Sequence, residues 1–598
     1  MTPNPTQPAV PAFSPQVLMD LYLRGRHDEL SGQFLAILRH FRDTTYTELD
    51  ATGRRFINEF VNLFLTLFTQ ADYVPSRPHL LEMVSHNATI SNLVAISCFR
   101  FSDVSFLASL DEGPAHLGKM LTLRSARFNG KGDVDYKAVF DADPVLASVW
   151  YGAFAQLYNA GFLHPGSTSD LRNHFEEVDD RLDVRHAPLD AYFASTYVGG
   201  DCDRVVKPVM NASFRRLLAG VSVRNRPDLR KVAVISGNWW PGHSVYRISK
   251  AFVEALDGYQ VTLVRIGSRG EVDTRGFDRV VTLDYQADGG LDIRPLLDND
   301  FGVVYYPDVG LKAPSILLAN LRLAPIQITS TGHPVSTFGS EIDYYVSGAE
   351  AEPPDPERHY SERLVLLPGC GVVHERPEAT PTGRRPAGER VVLNCPWNAQ
   401  KLSHAMGSTL RQVQNRIRGG RQRLTFRLFV NRSLDRRSDY LPFVHDLEAI
   451  LCPGCVEVVR GLSYSAYMAR MEEGDFSIDS YPFGGCNTVA DSLFLRRLVV
   501  TWESDRWYGR IGPWMVRKAG LPELAVTTEE AYVATIARLV NDDAFRADLQ
   551  ARLDRADLDT TVFARDEGAS FRKAVDFLVA NHERLKRESD RTPIRIDR

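Results

Sequence analysis

The chain has 598 residues, too many for one hydrophobic core, so roughly two to four domains are expected. Its 44% hydrophobic and 24% charged content is that of an ordinary soluble globular protein, and a formal charge of −5 over this length speaks against a dedicated nucleic-acid binder. Seven cysteines, an odd and small number, exclude a disulfide framework and fit a reducing compartment.

Residues 1–15 carry five prolines and neither a basic segment nor an apolar run, so they read as a disordered tail and not as a signal peptide. From 16 to about 225 apolar residues recur at three- and four-residue intervals, as in LMDLYLRGRHDELSGQFLAILRHF and DPVLASVWYGAFAQLYNAGFL. No self-similar period appears, so this is an all-helical domain and not a repeat array. Its most apolar stretch, FVNLFLTLF at 60–68, is too short to span a bilayer. No membrane span is expected, and the protein is expected to be cytoplasmic.

Near residue 230 the texture changes. KVAVISG (231–237), QVTLVRIG (260–267), RVVTLD (279–284), GVVYYPD (302–308), PIQITSTG (325–332) and DYYVSG (343–348) are short β-branched and aromatic runs separated by helical segments. That alternation predicts a parallel sheet with crossover helices, a Rossmann-like lobe over 226–380. RPEATPTGRRPAGER (376–390) reads as a linker. The alternation then restarts with RVVLNCP, TFRLFVN, VEVVRG, DFSIDSYP and RLVVTWES, and the last sixty residues return to helix, giving a second lobe over 381–598. Two doubly wound units in series predict a cleft with ligands at the carboxyl ends of the strands.

The sharpest local signal is DSYPFGGCNTVADSLFL (479–495), where a strand hands over to a helix beginning near Asn487 and Thr488. Thr488 and Asp491 have capping-box spacing, which is one reading. The other is a ligand: Gly484 and Gly485 let it approach the backbone, the helix tip holds an anion, and Asn487 and Thr488 add donors. Asp491 suits ribose hydroxyls better than phosphate, so the ligand described is a nucleotide. No Gly-Lys-Ser/Thr follows, which excludes a Walker loop.

A nucleotide diphosphate leaving group needs charge compensation. Asp-x-Asp triplets occur at 133–135, 141–143, 201–203 and 298–300, none with a supporting motif at the end of a sheet strand. The alternative is Lys401, in CPWNAQKLSH after a predicted strand. His243 opens the helix that follows KVAVISG and has the side chain best suited to proton transfer near neutrality. Cys452-Pro-Gly-Cys455 has CxxC spacing but no second CxxC or His pair, so it lacks a metal-site signature. The basic segment RQVQNRIRGGRQRLTFR (411–427) lacks the aromatic platforms of a single-strand binder and reads as a solvated face.

GHSVYR (242–247), STGHPVSTFGSEIDYYV (330–346), YSERLVLLPG (360–369), NAQK (398–401), YPFGGCNTVADSL (481–493) and GLPEL (520–524) together resemble the family 41 glycosyltransferases. The helical portion, with SHNATISNLVAIS (85–97), is similar to the bacterial cytoplasmic N-glycosyltransferases that glucosylate adhesins, not to the tetratricopeptide superhelix of the O-linked N-acetylglucosamine transferases. The resemblance implies an α/β GT-B fold behind an all-α domain, a UDP-sugar donor such as UDP-glucose, metal-independent inverting transfer without a cofactor, and a polypeptide acceptor such as an adhesin. It implies Lys401 on the diphosphate, Asn398 lining the nucleotide, Tyr467 in the cleft near the nucleotide or sugar, Asn487 and Thr488 on the phosphates, Asp491 on the ribose, His333 in the substrate-binding set, and His243 as an active-site histidine. Tyr464, another expected substrate contact, stands where relatives often carry His or Lys. Asn431-Arg432 stands where the N-glycosyltransferases tend to have Gly-Gln. The alternatives are an O-linked transferase acting on Ser/Thr and an inactive UDP-sugar-binding interaction protein.

Overall fold

The computed structural model describes residues 13–597 apart from 101–109, 126, 128–133, 157–162, 188, 269, 384–389, 421–422 and 431–439. The expectations for most of the N-terminal tail, for part of the linker, for Asp133 and for Asn431-Arg432 therefore lie outside the described residues. Two compact units form: Met1–Cys202 with Asn398–Gln412 and Thr425–Leu462, and Asp203–Trp397 with Val413–Leu424 and Ser463–Arg598.

The strands in chain order are β1 (Arg224–Ser236), β2 (Gln260–Ile266), β3 (Arg279–Leu283), β4 (Asp298–Tyr306), β5 (Ile326–Ser330), β6 (Tyr344–Gly348) and β7 (Arg363–Leu367). They continue with β8 (Val391–Cys395), β9 (Leu424–Phe429), β10 (Val456–Val459), β11 (Phe476–Ile478), β12 (Val499–Trp502), β13 (Ala525–Val526) and β14 (Ile594–Arg595).

The first unit is mainly helical. In the helix Ala51–Phe68, Ile57, Phe60, Val61, Phe64, Leu65 and Phe68 fall on one stripe and are buried. Its start is fixed by Asp50, whose carboxylate accepts from Gly53 N at 2.7 Å. The stripe packs on Leu30, Phe34, Leu38 and Phe41 of the helix His27–Asp43, with Phe34 and Phe64 edge-to-face at 5.0 Å. The apolar 60–68 run is thus core, and no helix among the described residues is long and apolar enough to cross a membrane. In this unit β9 and β10 pair in parallel. Within the basic segment, Arg427 pairs with Glu457 at 2.8 Å and Arg411 donates to the Ala449 carbonyl at 2.8 Å. Cys452 and Cys455 are joined as a disulfide, a single local bridge beside five free cysteines. The CxxC turn brings them to a Cα separation of 5.6 Å, ordinary for such a bond.

The second unit carries an eight-stranded parallel sheet of order β14-β7-β6-β5-β4-β1-β2-β3. Alternate residues of β1 go to opposite faces: Val232 and Val234 into one buried cluster, Ala233 and Ile235 into another. Both faces are covered, which is why these strands read as unbroken apolar runs. A second parallel sheet has β11 between β8 and β12, with β13 beyond β12.

The end of the chain departs from expectation. The helix Glu567–Leu585 places Phe571, Ala574, Val575 and Leu578 in the core of the first sheet, with Phe571 stacked on Phe252 at 4.6 Å. Next, β14 pairs with β7. The last thirty or so residues therefore complete the first lobe instead of extending the second, because their apolar stripe fits the sheet face that β1–β5 leave to be covered.

Candidate functional site

In the first sheet the chain leaves β1 toward β2 and β3, then returns on the other side of β1 as β4. Crossovers diverge at that point, and the carboxyl ends of β1 and β4 flank the place where doubly wound sheets bind ligands. The last residue of β1 is Ser236, and two residues beyond β4 stands Asp308, 1% exposed. One carboxylate oxygen of Asp308 accepts from Ser236 Oγ at 3.0 Å, Asn238 Nδ2 at 2.7 Å and Gly237 N at 3.3 Å, which fixes the loop after β1. The other oxygen, Oδ1, has no hydrogen-bond partner. Burial raises the Asp308 pKa against these bonds and the nearby Lys312 ammonium. Lys312 donates to the Gly237 carbonyl and lies 5.8 Å from the Trp240 ring centroid.

That loop delivers His243. Gly242, at φ +87°, takes the left-handed turn that a side chain resists, and His243 then caps the helix Ser244–Glu254. Its Nδ1 accepts from Val245 N at 3.2 Å, and its ring lies 4.4 Å from that of Trp240. Burial first, and the Lys312 charge second, lower its pKa to about 4. Near neutrality the imidazole is therefore uncharged, and an accepting Nδ1 places the proton on Nε2. His243 presents a donor, not a free base.

The opposite wall is the helix Asn487–Phe494, beginning where the residues predicted. Cys486 precedes it and supplies no capping bond. No capping box forms with Thr488, which is half-buried, because the Asp491 carboxylate is engaged elsewhere. Arg247 donates to it from both terminal nitrogens, at 2.6 and 3.3 Å, and Tyr464 donates at 2.7 Å. The Arg247 and Asp491 side chains are only 9% and 3% exposed. Burial works against the guanidinium charge, and Asp491 more than offsets it. Tyr464 lies under the guanidinium at 4.9 Å, with Tyr467 stacked 6.0 Å from it, and burial raises both phenols. One turn before Asp491, Asn487 Nδ2 donates to the Ser244 carbonyl at 3.0 Å. His374 is buried here, its pKa lowered to about 4 by burial and then by Arg247.

Gly484 and Gly485 are closely packed. A Cβ on Gly484 would meet Asp479 Oδ2 and the Tyr508 carbonyl, both at 2.9 Å. On Gly485 it would meet Thr488 Oγ1 at 2.3 Å and Asp479 Oδ1 at 3.0 Å. Asp479, just past β11, accepts from Gly485 N at 2.8 Å and from Ser480 N at 2.8 Å, folding the loop onto itself. His333 is 4% exposed and lies near Lys207, where burial holds its pKa far below normal. Asn398 and Lys401 lie in the first compact unit, Asn398 just before and Lys401 at the end of the 3-10 turn Ala399–Lys401, with Lys401 half-buried.

So His243, Tyr464, Tyr467, Asn487 and Asp491 come together through the helices that carry them, and Arg247, His374, Asp308 and Lys312 were missed. Arg247 had a signal, since it follows His243 by four residues and shares its helix face. Of the Asp-x-Asp triplets, Asp141 pairs with Lys137 and Arg181, Asp143 with Arg77, Asp298 with Arg224 and Asp300 with Lys231. Among the described residues no group of three or more His, Cys, Asp or Glu could hold a metal ion.

No family model matches the chain. It is 24% identical over 348 residues to a UDP-glucose:protein N-beta-glucosyltransferase of Actinobacillus pleuropneumoniae, covering 56% of this chain and 54% of that one. It is 26% identical over 237 residues to a probable UDP-N-acetylglucosamine–peptide N-acetylglucosaminyltransferase SPINDLY of Solanum lycopersicum, covering 39% of this chain and 25% of that one. Among solved structures, a mutant O-GlcNAc transferase of Thermobaculum terrenum matches with TM-score 0.55 and 17% identity, over 96% of this chain and 98% of that one. The chain is a relative of the family 41 glycosyltransferases. Its fold is that family's GT-B fold, preceded by a helical region. The chain spans about half the length of the first family 41 relative and about a quarter of the second.

Proposed function

We propose that the chain is a UDP-sugar-dependent protein glycosyltransferase that moves a hexose, glucose by preference, to the side-chain amide of Asn in Asn-x-Ser/Thr acceptors, with inversion and without a metal, in the cytoplasm. The observation that carries this reading is the pairing of Asn487 and Asp491 one turn apart on the helix after β11, phosphate donor and ribose acceptor in the order a nucleotide requires. It is supported by the alignment with a relative named for UDP-glucose and protein N-glucosylation.

In this reading the acceptor nitrogen attacks the anomeric carbon from the face opposite UDP, the bond from that carbon to the UDP phosphate oxygen breaks, and the nitrogen's surplus proton is released to water. The amides of the Asn487 helix stabilise charge growing on the departing diphosphate by preorganised electrostatics, and the family resemblance gives Lys401 a role on the same group. His243 orients the reacting groups by donating from Nε2 and does not remove a proton.

The test incubates the full chain with UDP-glucose and an Asn-x-Thr peptide in the presence of a chelator. Addition of one hexose to Asn is the expected result, and no product without added divalent metal sinks the metal-free mechanism. The second reading, transfer to Ser/Thr hydroxyls, is favoured by the SPINDLY-type relatives. Modification confined to a Ser/Thr peptide would decide for it. UDP binding with neither product would leave an inactive binder. An adhesin is the acceptor type that the Asn-linked reading favours.

A further inference from the structure

Asp491 is expected to read a ribose, yet its carboxylate is already spoken for. It accepts three hydrogen bonds, two from Arg247 and one from Tyr464. A carboxylate has about four acceptor positions, so only about one remains, while a ribose cis-diol brings two hydroxyls. A donor nucleotide therefore cannot be added to this arrangement; something must leave. Arg247 is the group with somewhere to go. Ser244, three residues before it, receives Asn487 Nδ2 at 3.0 Å, so the first turns of the two helices lie side by side. Asn487 precedes Asp491 by four residues, about 6 Å of helix rise, a shift that rotation about the long arginine side chain can span. Because the guanidinium is buried, it must exchange one anion for another; a diphosphate at the tip of the Asn487 helix is such an anion, and Arg binds phosphate bidentately as it binds carboxylate.

We propose that Arg247 is a two-position donor-site residue: it neutralises Asp491 in the unliganded protein and moves to the diphosphate when the nucleotide binds, releasing Asp491 to the ribose. This rests on the UDP-sugar reading above. The two events are one exchange, so the nucleoside alone, with no phosphate to receive Arg247, should bind poorly.

The test is calorimetric binding of uridine and of UDP to the full-length wild type, Arg247→Met and Arg247→Lys. Arg247→Met should weaken UDP about tenfold or more while tightening uridine several-fold, opposite signs that a purely structural role does not produce. Arg247→Lys, which keeps a buried charge, should weaken UDP less. Both ligands weakening together, or neither changing, overturns the exchange. A crystal of the wild type with UDP decides the matter independently of whether a variant folds. The guanidinium on a phosphate oxygen supports the proposal, and Arg247 still on Asp491 overturns it. If wild-type protein binds no UDP at all, the UDP-sugar reading itself falls, a result distinct from UDP binding with Arg247 unmoved.

Discussion

A histidine at the start of a helix can act as base or as cap, and at His243 the two roles exclude each other. Its Nδ1 holds the Val245 amide, so the neutral ring keeps its proton on Nε2. His243→Asn separates the roles: Asn is among the best capping residues, but it lacks the far nitrogen. The variant should melt with the wild type while kcat falls on the order of 10- to 100-fold, the worth of one well-placed hydrogen bond. His243→Ala should in addition lose about 1 kcal/mol of stability with the cap. The pH profile of kcat/KM should show no inflection near 6.5 from this residue, since its pKa lies near 4. An inflection there that His243→Asn abolishes would restore the base. Lys401 is a residue-scale prediction of another kind: Lys401→Ala should nearly abolish transfer and leave the fold intact, and undiminished turnover would remove it from the mechanism.

The loop from β11 into the Asn487 helix shows how much of an element can be read from residues. Tyr-Pro-Phe-Gly-Gly marks a turn, and Val489, Leu493 and Phe494 mark the helix, so the handover and its position were legible. The reason for the glycines was not. Both are needed because Asp479 folds back over them, a contact set by β11 and by the Tyr508 backbone far along the chain. Asp491 likewise matched a capping box by spacing, but its partners come from helices 244 and 27 residues away in sequence, and no local pattern reports them. Asp479→Ala should cost about 1–3 kcal/mol, the price of leaving buried amides unbonded, and weaken UDP binding by loosening the helix tip. Asp479→Asn, which retains one acceptor, should cost less. Equal UDP affinity in Asp479→Ala would dissociate the loop from the site.

At the scale of the whole molecule, parallel-sheet architecture was legible because both sheet faces are covered and the strands are continuously apolar. Which helix covers which face was not, and the return of residues 567–595 to the first sheet is the clearest example. Covering so many faces also buries histidines. Burial lowers His86, His243 and His374 to about 4 and His174 to about 3, and shifts His40, His164, His333 and His582 the same way. In the unfolded chain these rings take a proton near 6.5, so below that pH the unfolded state binds more protons than the folded one and stability falls. Four buried acids oppose this: Glu352 and Glu567 are pushed up to about 7, and Asp170 and Asp308 are raised, so the folded state takes up protons there first. Eight groups against four leaves a net loss as pH drops from about 6.5 toward 4.5, with greatest stability near neutrality. His174 isolates one contributor. Its ring bonds the Tyr136 hydroxyl at 2.9 Å and the Tyr151 carbonyl at 3.0 Å, an acceptor and a donor that only the neutral form supplies together. His174→Gln offers one of each and cannot be protonated. Melting temperatures measured from pH 4.5 to 8 should show a shallower acid slope in His174→Gln than in the wild type, and parallel slopes would mean that His174 does not set the acid limit.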